Sequence, residues 1–115
     1  VIDDLLGGEH TLLAVLTRGQ QGLRLATREH RVDVPAVPVD VVDTVGAGDA
    51  CMGGLLAALF LGARLDVTSL QRLESADLEQ VGAVAAKVAA LTCSRRGADP
   101  PVRDELPADA FAPRR

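Results

Sequence analysis

Aromatic residues are almost absent from this 115-residue chain, which has two Phe and neither Trp nor Tyr. Hydrophobic residues still make up 48% of the sequence, so a core has to be built from Ala, Val and Leu. Side chains of this size suit helices that pack on a sheet. The length corresponds to about one small domain.

Cysteine and histidine are equally scarce. Cys51 and Cys93 are too few for a disulfide framework and lie in apolar, helix-like stretches. They are best interpreted as small buried thiols in a reducing compartment rather than a disulfide or a redox site. His10 and His30 have no neighbouring Ser, Cys or carboxylate pattern, so we expect surface residues and neither a metal site nor a catalytic triad.

Long runs of like charge and long apolar runs are missing too. The net charge is −4, and no block of like charge exceeds a short pair. This argues against nucleic acid or an anionic membrane as a partner. The apolar stretch after Gly54 is interrupted by Gly62 and Arg64, and no signal-peptide pattern is present, so we expect a cytoplasmic protein.

The most informative stretch runs from Asp40 to Leu56, where an extended segment breaks into a helix. Gly46 and Gly48 let the backbone bend and expose N–H groups, and the helix start adds unpaired amides and a positive dipole end. Such a corner binds anions, phosphate above all. Asp49 lies inside this corner, although a carboxylate repels phosphate. The function that explains an acid there is to take the proton from a hydroxyl that attacks phosphorus.

The run D-T-V-G-A-G-D at residues 43–49 closely resembles the D-T-x-G-A-G-D signature of the PfkB-type, or ribokinase-like, carbohydrate kinase family. The resemblance implies an α/β fold over residues 1–115: the C-terminal part of a ribokinase-like, Rossmann-type three-layer fold, with central strands and packing helices. It assigns the catalytic base to Asp49 and the anion hole to the backbone of Gly46, Ala47 and Gly48. Cys51 stands where the family often has Phe.

The resemblance also indicates what lies outside this sequence. The chain starts at Val1 without Met, and family members are several times longer, so we expect it to be part of a larger protein. The family's sugar-binding and lid residues lie upstream. The resemblance implies ATP and a small sugar as substrates, with Mg²⁺ as a cofactor. It also allows a homodimer of the full-length member.

Three strands are predicted before the corner. Residues 11–17 are continuously apolar and predict a central strand buried on both faces. Residues 23–27 alternate as in a half-exposed strand. Residues 31–37 alternate as well, and Pro35 and Pro38 predict an edge position or a strand end.

The first two strands are joined by the turn Thr17-Arg18-Gly19-Gln20-Gln21-Gly22. Taken alone, Gly19 and Gly22 indicate a turn with positive φ. The turn also resembles the family's T-x-G-x-x-G turn, which lines the ATP phosphates and ribose. The resemblance assigns to the ATP site Thr17, Arg18, Gly19, Gln20, Gln21, Gly22, Gly48 and Asp49. Arg18 could hold ATP, but a solvated side chain fits the sequence equally well.

Three helices are predicted after the corner. The first covers residues 47–61 and ends at Gly62; Gly53 and Gly54 should permit close approach to the sheet or to the nucleotide. Its predicted buried stripe consists of Met52, Leu55, Leu56, Leu59 and Phe60. A short helix near residues 68–73 has Asp66 as N-cap candidate, and a buried, alanine-rich helix starts at Ser75 and runs to Leu91. After Pro101 we expect a short packed turn and a loose end.

The loop from Thr92 to Pro101 resembles the C-terminal loop of fructokinase-like members, with Arg96 where Pro or Lys is usual. The resemblance implies that the preceding helix touches adenine. It also implies a monovalent cation, such as K⁺, near Asp43, Val45, Thr92, Arg95 and Gly97. Taken alone, the residues indicate a helix C-cap, with basic residues that complement the dipole.

Two other phosphate-binding motifs do not fit. A dinucleotide-binding motif would need Gly where Cys51 stands, and an acid in its turn would oppose a pyrophosphate. A P-loop would need Gly-Lys-Ser/Thr, and the single lysine is Lys87. The sequence therefore favours an ATP-dependent sugar kinase, with fructose ahead of ribose, other keto sugars and nucleosides. The alternative is a non-catalytic nucleotide-binding fragment.

Overall fold

A computed structural model describes residues 4, 6–8, 10–97 and 99–106. The loose end expected after Pro101 lies outside the described residues, which stop at residue 106. Three strands precede three helices: β1 (Ala14–Thr17), β2 (Leu23–Ala26), β3 (Arg31–Val34), α1 (Ala47–Leu61), α2 (Val67–Gln71) and α3 (Ser75–Cys93). Short 3-10 helices cover Gly19–Gln21 and Arg103–Glu105. No helix in the described ranges is long and apolar enough to cross a bilayer.

The strands form one antiparallel sheet in the order β1-β2-β3. The prediction that the first strand is central was wrong within the described part, because β2 occupies the middle and Thr17 at the end of β1 is exposed. The edge position of the third strand is confirmed. It ends at Val34, directly before Pro35, which has no N–H to continue a ladder.

Helix α3 covers one face of the sheet, as its apolar composition predicted. The contact is close at Gly82, where an added Cβ would lie 2.7 Å from Val34 Cγ2 and 2.8 Å from Leu25 Cδ1. The predicted start of this helix at Ser75 is confirmed. Glu74 is the N-cap, and its backbone N–H donates to Asp77 Oδ2 at 2.9 Å.

Helix α1 packs on α3 and has the predicted bounds, but only part of the predicted stripe, Leu55 and Leu59, is buried. The buried residues are Cys51, Gly54, Leu55, Ala58 and Leu59. Met52, Leu56 and Phe60 are 40%, 47% and 68% exposed, so their predicted burial was wrong. The helix is apolar on every side, and the pattern alone could not select the face that meets α3.

The N-cap prediction for the short helix α2 is confirmed. The side chain of Asp66 accepts hydrogen bonds from the Ser69 backbone N–H at 2.9 Å and from the Ser69 hydroxyl at 2.8 Å. These bonds lower the pKa of the Asp66 carboxyl. Gly62 closes α1, and its N–H donates to Ala58 at 3.1 Å.

The two adjacent glycines of α1 give a matched test of the helix contact. An added Cβ on Gly54 would lie 2.9 Å from Val88 Cγ2 and 3.1 Å from Val88 Cβ, whereas Gly53 has nothing within 4 Å. We expect Gly54→Ala to lower the free energy of unfolding by about 1–2 kcal/mol through overpacking. Gly53→Ala should raise it by about 0.5–1 kcal/mol, because Ala is the better helix former. Urea denaturation of both variants measures the difference, and equal effects would contradict a close α1–α3 contact.

Candidate nucleotide-binding and catalytic site

A groove of about 350 Å³ joins the two stretches that the sequence analysis singled out. One wall is the turn between β1 and β2, and another is the start of α1. The residues of these walls are Thr17, Gly19, Gln20, Gly22, Thr44, Ala47 and Gly48. Small residues of α3 form the floor: Ala86, Ala89, Ala90 and Cys93. We call this the first groove.

The turn adopts the conformation that its glycines predicted. Gly19 and Gly22 have φ values of 56° and 88°. Gly22 also lies so close to β3 that an added Cβ would be 2.0 Å from the Val34 carbonyl oxygen. No other residue fits there, because both the backbone conformation and the space exclude a side chain.

Two predicted nucleotide contacts are not found at the first groove. Arg18 and Gln21 are not among its lining residues. The guanidinium of Arg18 instead pairs with the carboxylate of Asp33 at 3.4 Å. Neither interpretation left open for Arg18, an ATP ligand or a solvated side chain, included this ion pair, and the assignment of Arg18 to the ATP site stays a prediction.

The corner at the start of α1 presents free amides. Gly46 is the N-cap residue in the left-handed region, with φ 77°. Among the described residues, the N–H groups of Gly46, Gly48 and Asp49 have no hydrogen-bond acceptor. The N–H of Ala47, however, donates to the Thr44 carbonyl at 3.2 Å, so it is not available as the third amide of the expected anion hole. The helix start remains suited to an anion.

Asp49 lies in the first turn of α1 and is exposed to solvent. Its side chain borders a second groove of about 530 Å³, together with Gly46, Gly53 and Arg103. Gly48 borders the first groove, so neighbouring residues of one turn face different grooves. Asp49 was predicted both as base and as ATP contact; the geometry places it beside the first groove rather than within it.

Asp43 ties the corner to the loop after α3. Its Oδ1 accepts from the Val45 N–H at 3.0 Å and its Oδ2 from the Gly97 N–H at 2.9 Å. The backbone N–H groups of Val42 and Asp43 both donate to the Cys93 carbonyl, at 2.8 and 3.1 Å. The amides of Val45 and Gly97 hold the pKa of the Asp43 carboxyl below its usual range.

This tether makes stability depend on pH. A carboxyl with a lowered folded pKa stabilises the fold above its unfolded pKa of about 4, and this contribution disappears as pH falls through the folded value. We expect Asp43→Ala to be less stable than the unaltered chain at pH 7 and to approach it below the folded pKa. Urea denaturation across pH 2–7 measures the difference in the free energy of unfolding between Asp43→Ala and the unaltered chain. Asp40→Ala, which removes an exposed acid of the same loop, should leave stability unchanged. A loss of stability in Asp43→Ala that does not change with pH would contradict the role of the Asp43 carboxylate.

The five residues predicted near a cation lie in the corner before α1, in the last turn of α3 and in the loop after it. Hydrogen bonds join Asp43 to Val45 and Gly97, and the N–H of Arg95 donates to the Thr92 carbonyl at 3.2 Å. The part of the chain that the structure describes holds no group of three His, Cys, Asp or Glu side chains suited to a metal ion. Each carbonyl oxygen has two lone pairs, so one engaged by an N–H can still accept a second partner. A cation here would therefore be held mainly by carbonyl oxygens.

Several lining residues of the first groove were not predicted. The segment after β3 contributes Ala36, Val37, Val39 and Val41, and α1 contributes Cys51. Nothing in the local sequence marks these apolar residues as groove residues, because they meet the groove only once the chain is folded. Both cysteines are free, as expected, and both line the first groove.

Comparison with known proteins identifies relatives of this arrangement. The chain is similar to an uncharacterized sugar kinase from Pyrococcus horikoshii in complex with ATP, with a TM-score of 0.67 and 39% identity, over 85% of this chain and 30% of that one. It is similar to fructokinase with bound ATP from Xylella fastidiosa, with a TM-score of 0.73 and 29% identity, over 84% and 30%. Fructokinase from Vibrio cholerae O395, in a form with fructose, ADP and calcium ion bound, gives a TM-score of 0.58 and 32% identity, over 75% and 26%.

These comparisons also establish how much of a relative the chain represents. It spans less than a third of the length of each of these three proteins. The match confirms the expected α/β, ribokinase-like fold for this portion. The model of the pfkB family carbohydrate kinases matches residues 5–105, and the chain therefore belongs to the PfkB family of carbohydrate kinases.

Proposed function

We propose that this chain forms the ATP-binding and phosphoryl-transfer part of an ATP-dependent carbohydrate kinase. One observation carries the proposal: a single groove is walled by the glycine turn, by the start of α1 and by the small residues of α3. Apolar walls suit a flat base, and glycine backbone with free amides suits phosphates. ATP in the complexes of two similar kinases supports this occupant.

In this proposal the first turn of α1 separates the two reactants. The nucleotide lies in the first groove, and its γ-phosphoryl group reaches the free N–H groups of Gly46 and Gly48. Asp49, on the second groove, accepts the proton of the sugar hydroxyl as its oxygen bonds to phosphorus and the bond to the ADP oxygen breaks. The amides and the helix dipole stabilise the negative charge that spreads over the transferred group.

Cations have a supporting part. Mg²⁺ accompanies ATP and neutralises phosphate charge in phosphoryl transfer. The carbonyl-rich contact between the loops at Asp43, Val45, Thr92, Arg95 and Gly97 is the place we propose for a monovalent cation such as K⁺. A cation there would add positive charge beside the corner and so favour phosphate binding.

Fructose is the proposed acceptor. The support is the fructokinase-like loop from Thr92 to Pro101 and the fructose in the form of the Vibrio cholerae fructokinase. The cytoplasmic location remains a prediction from the sequence pattern, and a homodimer of the full-length protein remains a prediction from the family.

A second candidate is nucleotide binding without turnover. It is favoured by the share of a relative that the chain spans, which is less than a third. Calorimetry with ATP and Mg²⁺ followed by a phosphotransfer assay with fructose, ribose and nucleosides separates the candidates. Binding with turnover supports the kinase, binding alone supports the second candidate, and no binding contradicts both.

A further inference from the structure

The face of the sheet opposite α3 carries a charged row that ends at the nucleotide-binding turn. Leu16, Arg24 and Asp33 are paired across the three strands. Arg24 Nε donates to Asp33 Oδ1 at 2.7 Å, and its NH2 group donates to Oδ2 at 3.1 Å. This bidentate contact fixes the carboxylate in one orientation.

Arg18 reaches the same carboxylate from the turn. Its NH2 group donates to Asp33 Oδ1 at 3.4 Å, and its side chain is only 27% exposed. The groove, by contrast, is on the α3 side of the sheet, and Arg18 does not line it. The Arg18 guanidinium thus contacts Asp33 on the face of the sheet opposite the first groove.

The backbone of Arg18 is part of the turn itself. Its N–H donates to the Gly22 carbonyl at 2.8 Å, and its carbonyl accepts from the Gln21 N–H at 3.0 Å. A shift of Arg18 therefore moves Gly19, Gln20 and Gly22, which wall the groove. Neither Arg18 nor Asp33 lines the first groove.

We propose that Asp33 and Arg18 are positioning residues that hold the turn in its nucleotide-binding conformation from the back of the sheet. The inference rests on the proposed function for the identity of the ligand. Exposed ion pairs add little to global stability. The effect of the pair should therefore fall on the turn and on ATP affinity rather than on unfolding of the whole chain.

Binding measurements test the pair. We expect Asp33→Asn and Arg18→Gln each to raise the Kd for ATP, measured with Mg²⁺ by calorimetry, by about threefold to fivefold. The double variant should bind ATP no more weakly than Asp33→Asn alone, because Asp33→Asn already removes the contact that Arg18→Gln breaks. Asp33→Glu keeps the carboxylate and should bind ATP with most of the affinity of the unaltered chain. Glu29→Gln in the exposed β2–β3 turn removes one negative charge, as Asp33→Asn does, and should leave the Kd for ATP unchanged.

A second measurement needs no nucleotide. Amide hydrogen exchange at Gly19–Gly22 should accelerate in both single variants, while the amides of α3 keep their rates. Unchanged exchange in the turn, or additive losses of affinity in the double variant, would overturn the positioning role. If the unaltered chain binds no ATP, the proposed function fails, and the exchange rates alone decide whether the pair holds the turn.

Discussion

Replacement of Asp49 by Asn is expected to lower the rate of phosphoryl transfer by about 10²- to 10⁴-fold, the usual contribution of a general base. Asn keeps the size of the side chain but cannot accept the proton of the attacking hydroxyl. Because Asp49 borders the second groove and not the first, the Kd for ATP should stay within about a factor of two. Single-turnover phosphotransfer and calorimetry measure the two quantities separately.

The control for this experiment is Asp40→Asn. Asp40 is an exposed acid in the segment before the corner, so the variant has the same net charge as Asp49→Asn. It should transfer phosphate at the unaltered rate. Full activity of Asp49→Asn would contradict the assignment of the base, and loss of ATP binding in Asp49→Asn would place the carboxylate in the nucleotide site instead.

The exposed position of Asp49 separates the kinase proposal from a purely structural interpretation of the motif. A helix-start acid that only stabilised α1 would accept a hydrogen bond from a nearby backbone amide, as Asp66 does for Ser69 in α2. The neighbouring amides of Gly46 and Gly48 have no acceptor among the described residues. An acid beside free amides matches a site for an anion and a proton donor better than it matches a cap.

Local signals predicted the elements of this fold well. Glycine and proline set the bounds of α1 and β3, and Asp66 capped α2 as expected, because each of these effects acts within a few residues. The buried face of α1 was predicted correctly only at Leu55 and Leu59, since Met52 and Phe60 are as apolar as the residues that α3 covers. That choice depends on the close contact at Gly54, which only the packed structure reveals.

The candidate site shows the same limit. The family signature marked the corner and the glycine turn, and both border the first groove. The contacts that arrange them are distant in sequence: Asp43 binds Gly97, and Arg18 binds Asp33. Composition gives no pairing between such residues, so the contact between Arg18 and Asp33 could not be predicted before the fold was known.

The largest effect on stability is expected at Gly22, where the turn meets β3. An added Cβ would lie 2.0 Å from the Val34 carbonyl oxygen and 2.8 Å from the Ala36 nitrogen, and φ is 88°. Both contacts are to backbone, which cannot rotate away as a side chain can. We expect Gly22→Ala to lower the free energy of unfolding by about 3–5 kcal/mol and to weaken ATP binding by displacing the groove wall.

Gly19→Ala provides the matched control three residues away. Gly19 also has positive φ, 56°, but nothing lies within 4 Å of an added Cβ. Its replacement should cost only the left-handed conformation of the backbone, about 1 kcal/mol. Urea denaturation of both variants separates the two causes. Equal losses would mean that conformation alone governs the turn, whereas the larger loss at Gly22 would locate the constraint in the contact between this turn and β3, the strand that also carries Asp33.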